Sequence, residues 1–359
     1  MDERKPSLTL KEISPYLLAG FGDRPETEKL KIILELQQGF TADRGKLQRY
    51  FTRADMVAAY AYFYLPSYLP KIEFLLQQLS PQMRTQLAQT KLLDFACGPG
   101  TLALGISREI PGIKQLYFYD HSSLMLEQAI QLKPLYPSKL KLYASSHWAE
   151  IQKQLADSPV TVLLGHAINE MNLDDILKKL AGINVQAWIV IEPGAKEFFP
   201  AYLKLREYGL RQQFKVHYPC LQNSSCPKDP QKDWCHQLII PQLDPELKRL
   251  SQLVGINRNY LPMMGLVMAK IAVAYTEKTI ARFLRIHKET KFSFMLEICW
   301  PKGDKNSVLI FEVNKKSLTK ILRKQLQNSN NGYLIEIKIT NQLSPELIRG
   351  ELMQIYKID

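Results

Sequence analysis

The sequence predicts an α/β chain built around a parallel, doubly wound sheet, and three observations predict it. Five short β-rich runs, LLDFAC, QLYFYD, KLKLYAS, VTVLLGH and AWIVIEP, alternate with the helical patterns TLALGISREI, SLMLEQAIQL, HWAEIQKQL and NLDDILKKL. That alternation is the signature of βαβ units and a parallel sheet. The first run passes through Gly98 and Gly100 straight into a helix, the tight turn that lets a ligand approach backbone. The second run ends on Asp120, at the carboxyl end of a strand, where ligands of such sheets bind.

Taken in order, residues 1–90 read as a helical N-terminal layer. Leu30 to Leu36 and Met56 to Leu79 carry apolar residues at three- and four-residue spacing, and breaks are expected at Pro66 and Pro70. The tyrosine-rich segment AAYAYFYLPSYLP reads as an aromatic stripe packing this layer onto the next domain; exposed tyrosines stacking on RNA bases are the alternative. Residues 91–275 form the sheet domain. A Cys-rich loop, 219–236, is inserted between its sixth strand, FKVHYP, and its last, GLVMAKIAVAY. Residues 276–359 form a small β-rich module in which ARFLRI, FSFMLEICW, SVLIFEVN and YLIEIKIT alternate with period two. Among them KKSLTKILRKQL reads as a basic helix carrying Lys315, Lys316, Lys320, Arg323 and Lys324. Such a helix is either a solvated face or, on a small β-barrel, a contact for RNA phosphates.

Composition narrows the function classes. With 359 residues, 46% of them hydrophobic, the chain can bury a sizeable core in two or three folding units. Its 47 Lys and Arg against 35 Asp and Glu give a charge of +12, which favours a polyanionic partner such as nucleic acid over an acidic one. No apolar run approaches the roughly 20 residues that span a bilayer, so no membrane partner is expected. The opening MDERKPSLTL is neither a secretory signal nor an Arg-rich transit peptide, which points to a bacterial cytoplasmic protein, with a processed mitochondrial matrix protein as the alternative.

Four of the five cysteines follow position 219. Cys220, Cys226 and Cys235 share PCLQNSSCPKDPQKDWCH, and Cys299 lies more than sixty residues on. A stretch with three prolines and no hydrophobic periodicity cannot hold one shape by burying side chains, and thiolates crowded into it suggest a metal centre. Unpartnered thiols are the plain alternative. Cys97 is set aside because it belongs to the glycine turn, and His236, beside Cys235, reads as a supporting hydrogen-bond donor.

Asp94-Phe-Ala-Cys-Gly98-Pro-Gly100-Thr101, followed by Asp120 at the second strand end, resembles the first two motifs of class I methyltransferases, which bind S-adenosylmethionine. The fold class expected is therefore class I methyltransferase-like. NAD is the competitor in such a crevice, but the third glycine of its fingerprint is missing. On the methyltransferase reading Gly98 and Gly100 frame the methionine part, Asp120 holds the ribose, and Ser146 lies near the adenine. His166, in the polar cluster after the fourth strand, faces the ligand or accepts a proton; no methyl-transfer motif accompanies it, and the catalytic residue is unassigned.

The chain as a whole resembles the mitochondrial small-ribosomal-subunit assembly family of methyltransferase-like proteins. The pieces that match are FTADRGKLQRYFTRADMVAAYAYFYLP, LLDFACGPGT, IEPGAKEFFPAYLKLRE, VHYPC, SSCP, DWCH, NRNYLPMMGLVMAK, ARFLRI and EICWPKG, spanning about residues 35–315. The resemblance implies binding of small-subunit rRNA and assembly intermediates, and a four-iron, four-sulfur cluster on Cys220, Cys226, Cys235 and Cys299. Zinc is the chemical alternative, although the gaps of five, eight and sixty-three residues are not its usual closely spaced pairs. Departures are Gln237-Leu-Ile-Ile after DWCH, Ala96 in place of glycine, and the tail beyond about 315. Two function classes stay open: a monomeric assembly or translation factor with little or no turnover, and an active rRNA methyltransferase.

Overall fold

The structure, a computed structural model, describes residues 8–41, 51–272, 279–328 and 331–356. Residues 42–50 of the family-matching segment and the end of the expected last strand, 273–275, lie outside the described residues.

The N-terminal layer consists of α1 (Leu10–Ile13), α2 (Glu26–Thr41), α3 (Ala54–Phe63), α4 (Leu65–Gln77) and α5 (Pro81–Gln89). The expected break near Pro66 is present, at Tyr64 between α3 and α4, whereas Pro70 breaks nothing. Pro66 sits in the first turn of α4 and Pro70 lies inside it. A first-turn proline lacks an N–H that has no intrahelical partner anyway, so only Pro70 forgoes a hydrogen bond. Tyr60, Tyr64 and Tyr68, four residues apart, share one helical face and stack in series at 5.4 and 6.2 Å between ring centroids. The tyrosine-rich segment is therefore packing material, with Tyr62 buried as well.

The sheet domain runs β1 (Lys91–Phe95), α6 (Thr101–Glu109), β2 (Gln115–Tyr119), α7 (Ser123–Gln131), β3 (Lys141–Ser145), α8 (Trp148–Leu155), β4 (Val160–Gly165), α9 (Leu173–Leu180), β5 (Val185–Pro193), α10 (Phe199–Arg211), β6 (Lys215–Tyr218), β7 (Gln237–Ile239), α11 (Pro245–Leu253) and β8 (Leu261–Ala269). Strand order is β3-β2-β1-β4-β5-β8-β6, with β7 on β8. The first five strands pair in parallel, but β8 is antiparallel to both β5 and β6, so the sheet is mixed rather than wholly parallel. The reversal has a positional consequence. Since β6 runs parallel to β5 and β8 against it, β6 ends and β8 begins at the same carboxyl edge. The intervening chain, including the Cys loop, needs no crossover and stays at that edge.

Alternating strand residues feed two cores. Leu92, Phe118, Leu163 and Ile189 pack with the N-terminal helices, α6 and α7, whereas Leu93, Phe95, Val162 and Val190 pack with α8, α9 and α10. Gly105 lets α4 lie directly on α6, because a Cβ there would press to 2.8 Å from Ile72.

The C-terminal module is a closed barrel of β9 (Ile280–Glu289), β10 (Ser293–Lys302), β11 (Lys305–Asn314), β12 (Leu334–Ser344) and β13 (Leu347–Tyr356), in the order β10-β11-β13-β12-β9. A helix, α12 (Lys320–Asn328), joins β11 to β12. β11 and β13 pair in parallel and the remaining pairs are antiparallel. This is the five-stranded Greek-key connectivity of the OB-fold. Lys315 and Lys316 precede α12 rather than belonging to it. In this barrel β12 pairs with β9 through Leu334, Ile335 and Glu336.

Closure depends on Gly350, where an added Cβ would run into the Lys338 carbonyl and the Phe311 ring. Gly350→Ala is expected to lower stability by about 1–3 kcal/mol in thermal melts. An unchanged melting curve would show that β12 and β13 do not pair in this register.

Candidate functional site

Strand order reverses between β1 and β4, and in such sheets the ligand crevice is expected at their carboxyl ends. The turn after β1 lines it. Asp94 is buried and one of its carboxylate oxygens accepts the Ala103 amide at 3.1 Å, bracing the first turn of α6. Burial pushes its carboxyl up to about 8, against the Ala103 hydrogen bond. Gly98 and Gly100 both take positive φ, 53° and 78°. Their surroundings differ: a Cβ at Gly100 would strike the Tyr136 hydroxyl, whereas nothing lies within 4 Å of one at Gly98. Gly100 thus serves close packing, and Gly98 borders open space.

Asp120 accepts from Gly98 N at 2.8 Å through Oδ2 and from Ser122 N at 2.9 Å through Oδ1. The carboxylate fastens the second strand end to the glycine turn, and each oxygen keeps a further lone pair for a ligand hydroxyl. Ser146 stands at the end of β3 with its hydroxyl 3.5 Å from His147 Nδ1. Next to it Trp148 packs edge-on to Phe95 and Tyr119.

On the other wall, His166 has φ of 60° and stacks on Tyr68 at 4.6 Å. Burial lowers its pKa to about 3, with Lys71 adding to the effect, so the imidazole is neutral. Sequence reasoning missed two residues beside it. Glu192 accepts the Ile168 amide at 2.9 Å, and burial pushes its carboxyl up to about 8. Lys71, reaching in from α4, is pushed down to about 7, first by burial and then by Arg258. Around the crevice Thr101 Oγ1, His166 Nε2, Asn169 Oδ1 and Glu192 Oε2 are buried without a protein hydrogen-bond partner. Unpaired buried atoms of this kind are costly unless a ligand or water completes them.

The second site lies farther along the same edge. Cys220, Cys226 and Cys235 from the loop and Cys299 from β10 all line one cavity, together with Tyr202, Arg206 and Arg282. The loop is held from both sides. On the sheet side Arg206 donates to the Ser224 carbonyl at 2.6 Å and Trp234 to the Gly194 carbonyl at 2.9 Å. On the barrel side Arg282 donates to the Pro219 carbonyl at 2.8 Å. Asn306 donates to the Gln222 carbonyl at 3.1 Å, and Lys228 pairs with Glu297 at 2.7 Å. Arg285 bonds both Glu297 and Asp233.

Burial raises the Cys226 thiol to about 11, and Cys235 and Cys299 also lie well up, each pushed further by the neighbouring thiols. Two guanidiniums face them. Arg206, 0% exposed, donates to Cys220 Sγ at 3.3 Å. Arg282, 4% exposed, is bound to the Pro219 and Gly332 carbonyls and has no carboxylate partner among the described residues. Among the described residues no group of three or more His, Cys, Asp or Glu side chains is arranged to hold a metal ion: the cysteines stand around the cavity walls. Cys97 is buried in the glycine turn, and the His236 ring stacks on Trp234 at 4.7 Å.

The strand order, the glycine turn and the Asp120 brace define a class I methyltransferase-like protein. Within that class the chain belongs to the Rsm22 family, described as mitochondrial small ribosomal subunit Rsm22, whose profile matches residues 54–248. It is thus a methyltransferase-like small-subunit ribosomal factor. No curated protein matches the chain. Among solved structures it is similar to TrmK of M. capricolum in complex with S-adenosyl-homocysteine, at 14% identity over 56% of this chain and 74% of that one, TM-score 0.30. An rRNA methylase from Escherichia coli shares 13% identity over 73% of this chain and 100% of that one, TM-score 0.34. Magnesium protoporphyrin IX methyltransferase of Synechocystis PCC 6803 shares 11% over 68% and 97%, TM-score 0.34.

Replacing Arg282 by Leu strands the Pro219 and Gly332 carbonyls, at about 1–3 kcal/mol for each buried acceptor left unpaired. Hydrogen exchange is expected to rise across 219–236 in this variant. Exchange unchanged there would detach the loop's order from the barrel.

Proposed function

We propose that this chain is a small-subunit assembly factor that binds S-adenosylmethionine in the β1–β4 crevice, a four-iron, four-sulfur cluster on Cys220, Cys226, Cys235 and Cys299, and small-subunit rRNA. The observation that carries the reading is the meeting of four cysteines, from a loop and a distant barrel strand, around one cavity. Zinc, with its sulfurs at about 2.3 Å from one point, is the chemical alternative; a set of four thiolates with one remote in sequence is also how iron–sulfur clusters are held. Buried Arg206 and Arg282 supply positive charge toward four thiolates. Bound there, the cluster would act as a cross-link between the Cys loop and the barrel. For the crevice, support comes from the open space before Gly98, the spare acceptor capacity of Asp120 and the unpartnered polar atoms nearby. The family's description favours a mitochondrial matrix protein over the bacterial cytoplasm. We take the acting species to be a monomer, with 1–90, 91–275 and 276–359 as its domains.

A second reading, active rRNA methylation, draws on His166 Nε2, Asn169 Oδ1 and Glu192 Oε2, which an acceptor base would satisfy. Against it, Tyr68 of the helical layer already stacks on His166. Comparing cells that carry wild-type or Asp120→Ala protein separates the two: normal rRNA methylation with defective small-subunit assembly supports the factor, and loss of one specific methyl mark supports the enzyme.

Anaerobically purified protein is expected to contain iron and sulfide, and Cys299→Ser to lose most of both. Stoichiometric zinc without sulfide would refute the cluster. Calorimetry should detect S-adenosylmethionine binding that Asp120→Ala weakens by about tenfold or more, in keeping with lost charge-assisted hydrogen bonds.

A further inference from the structure

Barrel topology alone fixes no ligand, but the surface chemistry of this barrel is specific. OB-folds bind oligonucleotides on the face of their second and third strands and with the adjoining loops. Here the second and third strands are β10 and β11, and the part of their outer face beside the Cys loop is already covered. Cys299, Asn306 and Val308 line the cysteine cavity, and Glu297 pairs with Lys228 of the loop. The turn between the first two strands, β9 and β10, and what adjoins it remain open to a ligand.

That turn carries Phe292, which is 65% exposed. The backbone beneath it is fixed: Phe292 N and Ser293 N both donate to Thr290 Oγ1, at 3.2 and 2.9 Å. Lys315 N donates to the Phe292 carbonyl at 2.8 Å, and Lys315 Nζ bonds Glu289 and the Thr290 carbonyl. Lys291 Nζ lies 5.5 Å from the Phe292 ring centroid. From this anchor the chain passes through Lys316 directly into α12. Lys288, Lys291, Lys316, Lys320, Arg323 and Lys324 are all exposed, and none forms an ion pair among the described residues. Residues 276–359 hold fifteen Lys and Arg against nine Asp and Glu, half of the chain's +12.

We infer that the barrel binds single-stranded RNA across the β9–β10 turn, one base stacking on Phe292 and the flanking phosphates meeting the basic residues of the turn and α12. An exposed aromatic ring on an anchored turn, among cations without carboxylate partners, is the arrangement that binds single strands: stacking needs an unpaired base, and the cations follow its backbone. A duplex keeps its bases stacked inside and offers that ring nothing. The inference rests on the rRNA-binding reading and narrows it to a place and a form of RNA.

The test uses full-length protein and fluorescence anisotropy with a labelled twelve-residue oligouridine and a twelve-base-pair RNA duplex. The single strand should bind more tightly, and Phe292→Ala should weaken it about tenfold with an unchanged salt slope. Combined Lys316→Glu, Lys320→Glu and Arg323→Glu should flatten that slope, with melting curves confirming that both variants fold. Equal binding of duplex, or full affinity in Phe292→Ala, overturns the inference. Co-sedimentation with small-subunit precursors, run alongside, keeps the two readings apart. Wild-type protein that co-sediments while Phe292→Ala binds oligouridine normally sinks only this inference. Wild-type protein that binds oligouridine through Phe292 but never co-sediments upholds it and sinks the ribosomal reading.

Discussion

The segment from Pro219 to His236 has almost no core of its own, and its order depends on polar contacts made to two separate bodies. Arg206 holds it from α10 and Arg282 from β9, each with its guanidinium buried. Burying a guanidinium costs several kcal/mol unless its donors are used; Arg206 uses its donors on Cys220, Ser224 and Glu207, and Arg282 on the Pro219 and Gly332 carbonyls. The Lys228, Asp233, Arg285 and Glu297 network adds charge-assisted bonds across the same junction. The cysteine cavity is a by-product of this clamp: its walls are the surfaces that the clamp brings face to face.

The crevice obeys a related constraint with the sign reversed. Lys71, Asp94 and Glu192 are all pulled from water, and burial is the leading cause that drives each toward its neutral form. Asp120, by contrast, spends both oxygens on backbone amides. One carboxylate organises the turn while the others sit beside unpaired polar atoms.

Much of the fold was legible because it is local. The βαβ alternation from Lys91 to Pro193 and the four barrel strands from Ala281 to Thr340 carry their period in the residues themselves. β13 escaped because Leu347, Ile348, Leu352 and Ile355 do not keep a strict two-residue period; the bulged pairing with β12 absorbs the slip. The reversal of β8 is not local either, since it is set by which edge the chain has reached. In the site, the glycine turn, Asp120 and the cysteines announce themselves by residue type and spacing. Lys71 and Glu192 do not, because a lysine on an amphipathic helix and a glutamate at a strand end look ordinary until tertiary packing buries them.

The distance along the chain between Cys235 and Cys299 also orders events in time. A polypeptide emerges from the ribosome N-terminus first, and its domains fold as units in that order. The sheet, complete at Ala269, can form while the barrel is still being made, so three thiols and a buried guanidinium wait at an unfinished wall. The fourth wall arrives only when β10 has paired with β9 and β11 and Arg282 has reached the Pro219 carbonyl. On that order of folding, closure of the cavity follows completion of the sheet. A chain stopped before β10 would leave those three thiols without their fourth wall, so the finished cavity is itself a record that translation ran past the barrel's first strands.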